Sequence, residues 1–117
     1  MMADGSCIFC QISAGTRPAT IVYETPRVLA FHDINPVAPV HILIIPRQHI
    51  VDQSGLDDST SIVVAEMFMV ARNVADAEGV AANGYRLVMN QGVHGGQSVL
   101  HMHLHLLAGR PLRWPPG

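Results

Sequence analysis

The sequence predicts an α+β domain, and three observations carry that prediction. Apolar runs of four to six residues recur between Pro- and Gly-containing breaks, as strands do. One longer stretch, residues 59–78, repeats its apolar residues at helical spacing. At 117 residues the chain has room for one domain, spanning 1–117, with a single core. Together these give five strands in a mostly antiparallel sheet, with one long and one short helix.

Taken in order, Cys7-Ile8-Phe9-Cys10-Gln11-Ile12 opens the short helix, which Gly15 can end. Residues 20–24 and 28–32 read as strands joined by the turn Thr25-Pro26-Arg27. The loop through Pro36 and Pro39 leads to residues 40–45, an almost unbroken apolar strand expected at the centre of the sheet and covered on both faces. Asp57-Asp58-Ser59 supplies caps and negative charge for the long helix, and Gly79 fits a left-handed C-terminal position. Within that helix Val63, Met67, Val70, Val74 and Ala77 form one stripe, and Val64, Phe68, Ala71 and Ala75 a second. Two stripes fit either a single wide core face or contact with both the sheet and a second copy of the chain, and the low overall charge favours the second. Residues 85–90 form a further strand. Residues 99–108 form the last one, before a tail that its prolines keep out of helix and central strand.

Composition narrows the function. Hydrophobic residues make up 49% and charged residues 14%, which excludes disorder and points to apolar surface covered in a homodimer. A net charge of −2 excludes the basic patch of a nucleic-acid module. No apolar run approaches the ~20 residues of a membrane span, and the start of the chain lacks a signal-peptide pattern. A cytoplasmic protein with its two cysteines reduced is expected. Histidines number seven, as many as Lys and Arg together, so the chemistry should be histidine-based.

They concentrate in His101-Met102-His103-Leu104-His105-Leu106-Leu107, where alternation places three imidazoles on one pleated face. Imidazoles in that position need partners. Three readings fit: hydrogen-bonded structural residues, a metal site built on H-x-H, or nucleophilic catalysis by neutral imidazole. The glycine-rich Gln91-Gly92-Val93-His94-Gly95-Gly96-Gln97-Ser98 just upstream can present N–H groups to an anion, which favours chemistry at phosphorus. Cys7 and Cys10 have C-x-x-C spacing, which alone fits a redox dithiol or half of a metal site.

The run from His101 to Leu107 matches the motif of the histidine-triad (HIT) superfamily, His-φ-His-φ-His-φ-φ with φ apolar. Gly95-Gly96-Gln97-Ser98, the ending Arg113-Trp114-Pro115-Pro116-Gly117, Ala30-Phe31-His32-Asp33-Ile34 and Ala38-Pro39-Val40-His41 resemble its Hint-like branch. The resemblance runs from about Cys7 to the C-terminus. It implies a homodimeric hydrolase or nucleotidyl transferase that cleaves purine nucleoside phosphoramidates or acyl-adenylates to a nucleoside monophosphate. His103 would be the nucleophile, carrying a nucleotidyl-histidine intermediate, its other ring nitrogen held by a backbone carbonyl on the same strand near His105. His101, His105 and Ser98 would complete the catalytic group. Asn90 and the N–H groups of Gly96, Gln97 and Ser98 would cradle phosphate, so that no Mg²⁺ is required. Asp33 would hold the ribose hydroxyls, and Ile8, Phe9, Ile12, Phe31, His32 and Ile34 the purine. His41 would support the triad, and Trp114 would either reach the partner's leaving-group pocket or simply tack down the tail. Bacterial members with the C-x-x-C pair bind zinc, which implies Cys7, Cys10, His49 and His101 as ligands of a structural ion. Dinucleoside polyphosphate hydrolysis within the same superfamily, a metal-dependent hydrolase and a non-catalytic nucleotide-binding scaffold are the rival expectations.

Overall fold

The computed structural model describes residues 6–117; residues 1–5, on which the signal-peptide reading partly rests, lie outside the described residues. The elements are α1 (Ile8–Ala14), β1 (Ile21–Glu24), β2 (Val28–His32), β3 (Val40–Pro46), a 3₁₀ turn (Gln53–Gly55), α2 (Ser61–Ala77), β4 (Arg86–Met89), α3 (Gly92–Gly95) and β5 (Leu104–Ala108). The strands form one sheet in the order β1-β2-β3-β5-β4, and every pairing is antiparallel. The apolar strand β3 is central, as its composition predicts, with six of its seven residues buried.

The pleat sorts consecutive residues onto two sides. Val28, Ala30, Ile42, Ile44, Leu104, Leu106 and Ala108 pack with Val63, Met67, Val70, Ala71, Val74 and Ala75 of α2. Leu29, Phe31, Leu43 and Ile45 face the other way, into a smaller cluster with Phe9 of α1. One face therefore carries the main core, and the other carries the site.

The long helix starts at Ser61, two residues later than predicted, because residues 57–60 close a turn of their own. The Asp57 carboxylate accepts from the N–H of Thr60 at 2.9 Å, and the Thr60 hydroxyl accepts from the N–H of Asp57 at 2.8 Å. This is a reciprocal capping pair. The Thr60 N–H first, then the Ser59 and Thr60 hydroxyls, hold the Asp57 carboxyl below its ordinary range. At the other end Gly79 has φ +72°. Val80 N–H donates to Ala75 at 3.0 Å and Gly79 N–H to Asp76 at 3.2 Å, which closes the helix in a left-handed turn. The two predicted stripes are only partly correct. Ala71 and Ala75 join the buried face, whereas Ala77 and Phe68 are exposed.

A second correction concerns the last strand. Ladder pairing begins only at Leu104, so His101 and His103 lie in an irregular, bent lead-in rather than within a strand over 99–108. On the β3 side the register runs from Ile44↔Leu104 to Val40↔Ala108, and Met102 N–H donates instead to Ile50 at 2.6 Å. Outside the ladder, the His101 ring bonds the Pro46 carbonyl at the end of β3 through Nε2 and meets the Cys7 and Cys10 sulfurs through Nδ1. The glycine-rich segment also departs from its predicted loop, folding one helical turn as α3.

Met67 is wholly buried between α2 and the sheet. Met67→Ala should lower the unfolding free energy by about 2–5 kcal/mol in urea titrations, without altering the sheet's circular dichroism.

Candidate active site and metal centre

Helix α1 is seven residues long and begins with a sulfur cap: Cys7 Sγ accepts from the N–H of Cys10 at 3.4 Å. That turn brings both sulfurs to the same place, facing two histidines from distant segments. His101 Nδ1 lies 3.4 Å from Cys7 Sγ and 3.6 Å from Cys10 Sγ, and His49 Nδ1 lies 3.3 Å from Cys10 Sγ. The four ligand atoms lie within 4.8 Å of one another. Ligands of a tetrahedral zinc ion, at bonds of about 2.3 Å to sulfur and 2.0 Å to nitrogen, stand roughly 3.3–3.8 Å apart. The histidine tautomer fits as well. His101 Nε2 donates to the carbonyl of Pro46 at 2.8 Å, which leaves Nδ1 unprotonated toward the sulfurs. Burial pushes the His101 imidazole down to about 4, against the opposing pull of the Pro46 carbonyl, with His49 and His103 lowering it further. A Cys₂His₂ donor set of this kind suits a closed structural zinc site.

Beside this centre opens a cavity of about 510 Å³. Its walls include Ile8, Phe9 and Ile12 from α1, Phe31 and Leu43 from the sheet, and Asp33 and Ile34 from the loop after β2; Ser98, His103 and His105 stand at the same cavity. The two histidines are presented in opposite tautomers. His103 Nδ1 donates to the carbonyl of His101 at 2.7 Å, so its Nε2 carries the lone pair. His105 is set by a relay. The N–H of Val37 donates to His41 Nδ1 at 3.1 Å, so the His41 proton sits on Nε2. From there it is donated to His105 Nδ1 at 2.9 Å, with Asp33 Oδ2 lying 3.4 Å from His41 Nε2. The proton of neutral His105 therefore sits on Nε2. Among the described residues this Nε2 is the buried side-chain polar atom that has no hydrogen-bond partner. An unmet buried donor beside a cavity implies a ligand acceptor.

Electrostatics keep the relay uncharged. Burial pushes His105 down to about 4, reinforced by His103 and His41 and opposed by Asp33. Burial also lowers His41, again against Asp33. Phe9 stands edge-on to His103, at 5.1 Å between ring centres, and the His103 and His105 rings are 5.0 Å apart.

The structure thus gathers Ile8, Phe9, Ile12, Phe31, His32, Asp33, Ile34, Ser98, His103 and His105 around one cavity. It does not place Asn90, Gly96, Gln97 or Trp114 among the lining residues, and Trp114 is 80% exposed. Two of the expected phosphate donors are already engaged. The N–H of Gly96 donates to Val93 and that of Gln97 to Gly92, closing α3. The Gln97 side chain bonds Gly92, Val51 and Val99, so it staples the turn. The carbonyl that orients His103 is that of His101, rather than one near His105. Arg17, Pro18, Ala19, Asn35, Leu43 and Val99 line the cavity without having been singled out in the sequence. Of these only Leu43 carried a signal, as the pleat neighbour of buried β3 residues.

Residues 14–112 match the sequence pattern of the HIT domain family. The chain is 45% identical over 116 residues to a Zea mays protein called 14 kDa zinc-binding protein, covering 97% of this chain and 90% of that one. It superposes on a HIT family hydrolase from Legionella pneumophila Philadelphia 1 with a TM-score of 0.93, at 49% identity over 96% of this chain and 100% of the other. A histidine triad protein from Clostridium difficile gives a TM-score of 0.92, at 43% identity over 96% and 97% of the two chains. With the family pattern covering most of its length, and its histidines framing one cavity, this chain belongs to the HIT family of histidine triad proteins.

Proposed function

We propose that the protein is a hydrolase of purine nucleoside phosphoramidates or acyl-adenylates, with His103 as its nucleophile. The observation that carries this reading is the pair of opposed tautomers: an imidazole lone pair at His103 beside an unmet N–H donor at His105. A metal-dependent hydrolase would hold its ion through unprotonated histidine nitrogens at the cavity, whereas His105 presents a protonated Nε2 there.

In the first step the His103 Nε2 lone pair attacks the α-phosphorus, and the bond to the leaving amine or acyl oxygen breaks. The Ser98 hydroxyl, on the cavity wall, donates to the departing atom. The His105 Nε2–H stabilises charge on the phosphoryl oxygens, an arrangement that needs no Mg²⁺. In the second step water attacks the phosphorus and gives up its proton, which restores Ser98 where the leaving amine took one and otherwise passes to solvent. The P–N bond breaks with its electron pair returning to His103 Nε2, and the nucleoside monophosphate leaves. The His101 carbonyl holds the Nδ1 proton throughout, so the ring does not rotate between steps. Asp33, half-buried and already accepting from the N–H of Asn35 at 2.8 Å, would take the ribose hydroxyls, and the apolar wall from Ile8, Phe9, Ile12 and Phe31 would take the purine. Asn90 would reach the phosphate from the end of β4.

Cys7, Cys10, His49 and His101 would hold zinc in a structural role, pinning α1 to the sheet and orienting His101. We also infer a homodimer, because Ile62, Phe68 and Met69 on α2 are each about half exposed or more and need cover. No helix among the described residues is long and apolar enough to cross a membrane.

His103→Ala should lower kcat/KM on a fluorogenic adenosine phosphoramidate at least about a hundredfold, roughly 2.7 kcal/mol of barrier. Comparable rates in the two proteins would remove His103 from its role. Protein purified without chelator should carry one equivalent of zinc per chain by elemental analysis, and Cys10→Ser should carry far less. Because folding pushes His105 down to about 4, the unfolded chain binds more protons between pH 6.5 and 4. The contribution of this histidine to stability is therefore complete above pH 6.5 and lost as pH falls toward 4. In urea titrations at matched metal content, His105→Gln should show a shallower loss of stability over that window than the parent.

A further inference from the structure

Helix α1 has seven residues, too few to persist on local hydrogen bonding alone. Phe9 is its one buried residue. Its ring packs edge-on against Phe31 at 5.6 Å, His101 at 5.8 Å and His103 at 5.1 Å. Further long-range ties include the Cys7 and Cys10 sulfurs at His49 and His101, Ile12 against the cluster of Leu29, Phe31, Leu43 and Ile45, and a hydrogen bond of 3.3 Å from Arg47 to the Ser13 carbonyl. Ile8, Phe9 and Ile12 of this same helix form a wall of the cavity. Much of what holds the element that closes the cavity is thus the metal ligands and one aromatic ring, and that ring touches both a proposed metal ligand and the proposed nucleophile.

We propose that metal binding at Cys7, Cys10, His49 and His101 and nucleotide binding in the cavity are positively coupled through α1, with Phe9 as the positioning residue. The proposal rests on the nucleotide and metal readings given above. An ion at the four ligands orders α1, so the cavity wall is formed before the purine arrives. A purine against Ile8, Phe9 and Ile12 in turn holds both sulfurs in place. Two ligands that order the same short helix each bear part of its ordering entropy, so the second binds more tightly than it would alone. The factor by which zinc tightens nucleotide binding must equal the factor by which nucleotide tightens zinc binding.

The test uses AMP as the probe. Its dissociation constant is measured by calorimetry on the zinc-loaded chain and on the chain stripped by a chelator, with circular dichroism recorded on both. Zinc affinity is measured by competition with a chromophoric chelator, with and without saturating AMP. Both affinities should rise by the same factor, on the order of tenfold and within the usual 5–150-fold range of coupling. Phe9→Leu, still holding one equivalent of zinc, should bind AMP more weakly in both states, and the loaded-to-stripped ratio should collapse toward one. Equal AMP affinity in loaded and stripped parent protein overturns the coupling while leaving the nucleotide reading intact. A ratio unchanged in Phe9→Leu removes Phe9 from its role. Global unfolding on stripping also overturns the proposal, because the linkage would then run through the whole fold. Absence of AMP binding to the loaded chain refutes the nucleotide reading itself, and the coupling with it.

Discussion

His101 is wholly buried, and its two ring nitrogens and its carbonyl each reach a different part of the site. Its Nε2 donates to Pro46 at the end of β3, its Nδ1 faces two sulfurs of the α1 segment, and its carbonyl accepts from His103. A buried imidazole with an unmet nitrogen would cost about 1–3 kcal/mol, so the three contacts constrain one another. Moving the ring toward the sulfurs moves the carbonyl that sets the His103 tautomer. The metal-side half of the site and the His103 tautomer both depend on this one residue being held on three sides.

The second constraint comes from the sheet. Antiparallel register pairs His41 with Leu107 and Leu43 with His105, which makes His41 and His105 diagonal neighbours on one face. At that spacing their rings meet at 2.9 Å between nitrogens. The Val37 N–H, supplied by the loop before β3, then decides which nitrogen carries each proton. A backbone donor four residues away from His41 thus fixes the protonation of a ring on another strand. Burial keeps both imidazoles neutral near pH 7, so the direction of the relay holds over the working range.

The two faces of the sheet separate stability from chemistry. On the α2 side, alternation brings only apolar residues inward, and the buried face of the helix is continuous with them. On the other side a small cluster around Phe9, Phe31 and Leu43 leaves a cavity because α1 is short and covers only part of the sheet. The histidine-lined cavity sits on the face where packing is incomplete, and the larger core on the opposite face holds the strands in register for it.

The sequence alone determined what depends on spacing along the chain. The pleat period separated Ile42 and Ile44 from Leu43 and Ile45, Gly15 and Gly79 marked helix ends, and the alternating histidines announced an imidazole site. The proposed metal ligand set, by contrast, followed from the resemblance to histidine triad proteins, since His49 carries no local sign of a role. Tertiary structure decided the rest: where β5 begins, that Gly96 and Gln97 use their N–H groups to close α3, which carbonyl holds His103, and that Arg17 and Asn35 border the cavity. The physical reason is range. Periodicity and turn chemistry act over a few bonds of chain, whereas a hydrogen-bond partner such as Pro46 for His101, or His41 for His105, is set by register between segments more than fifty residues apart.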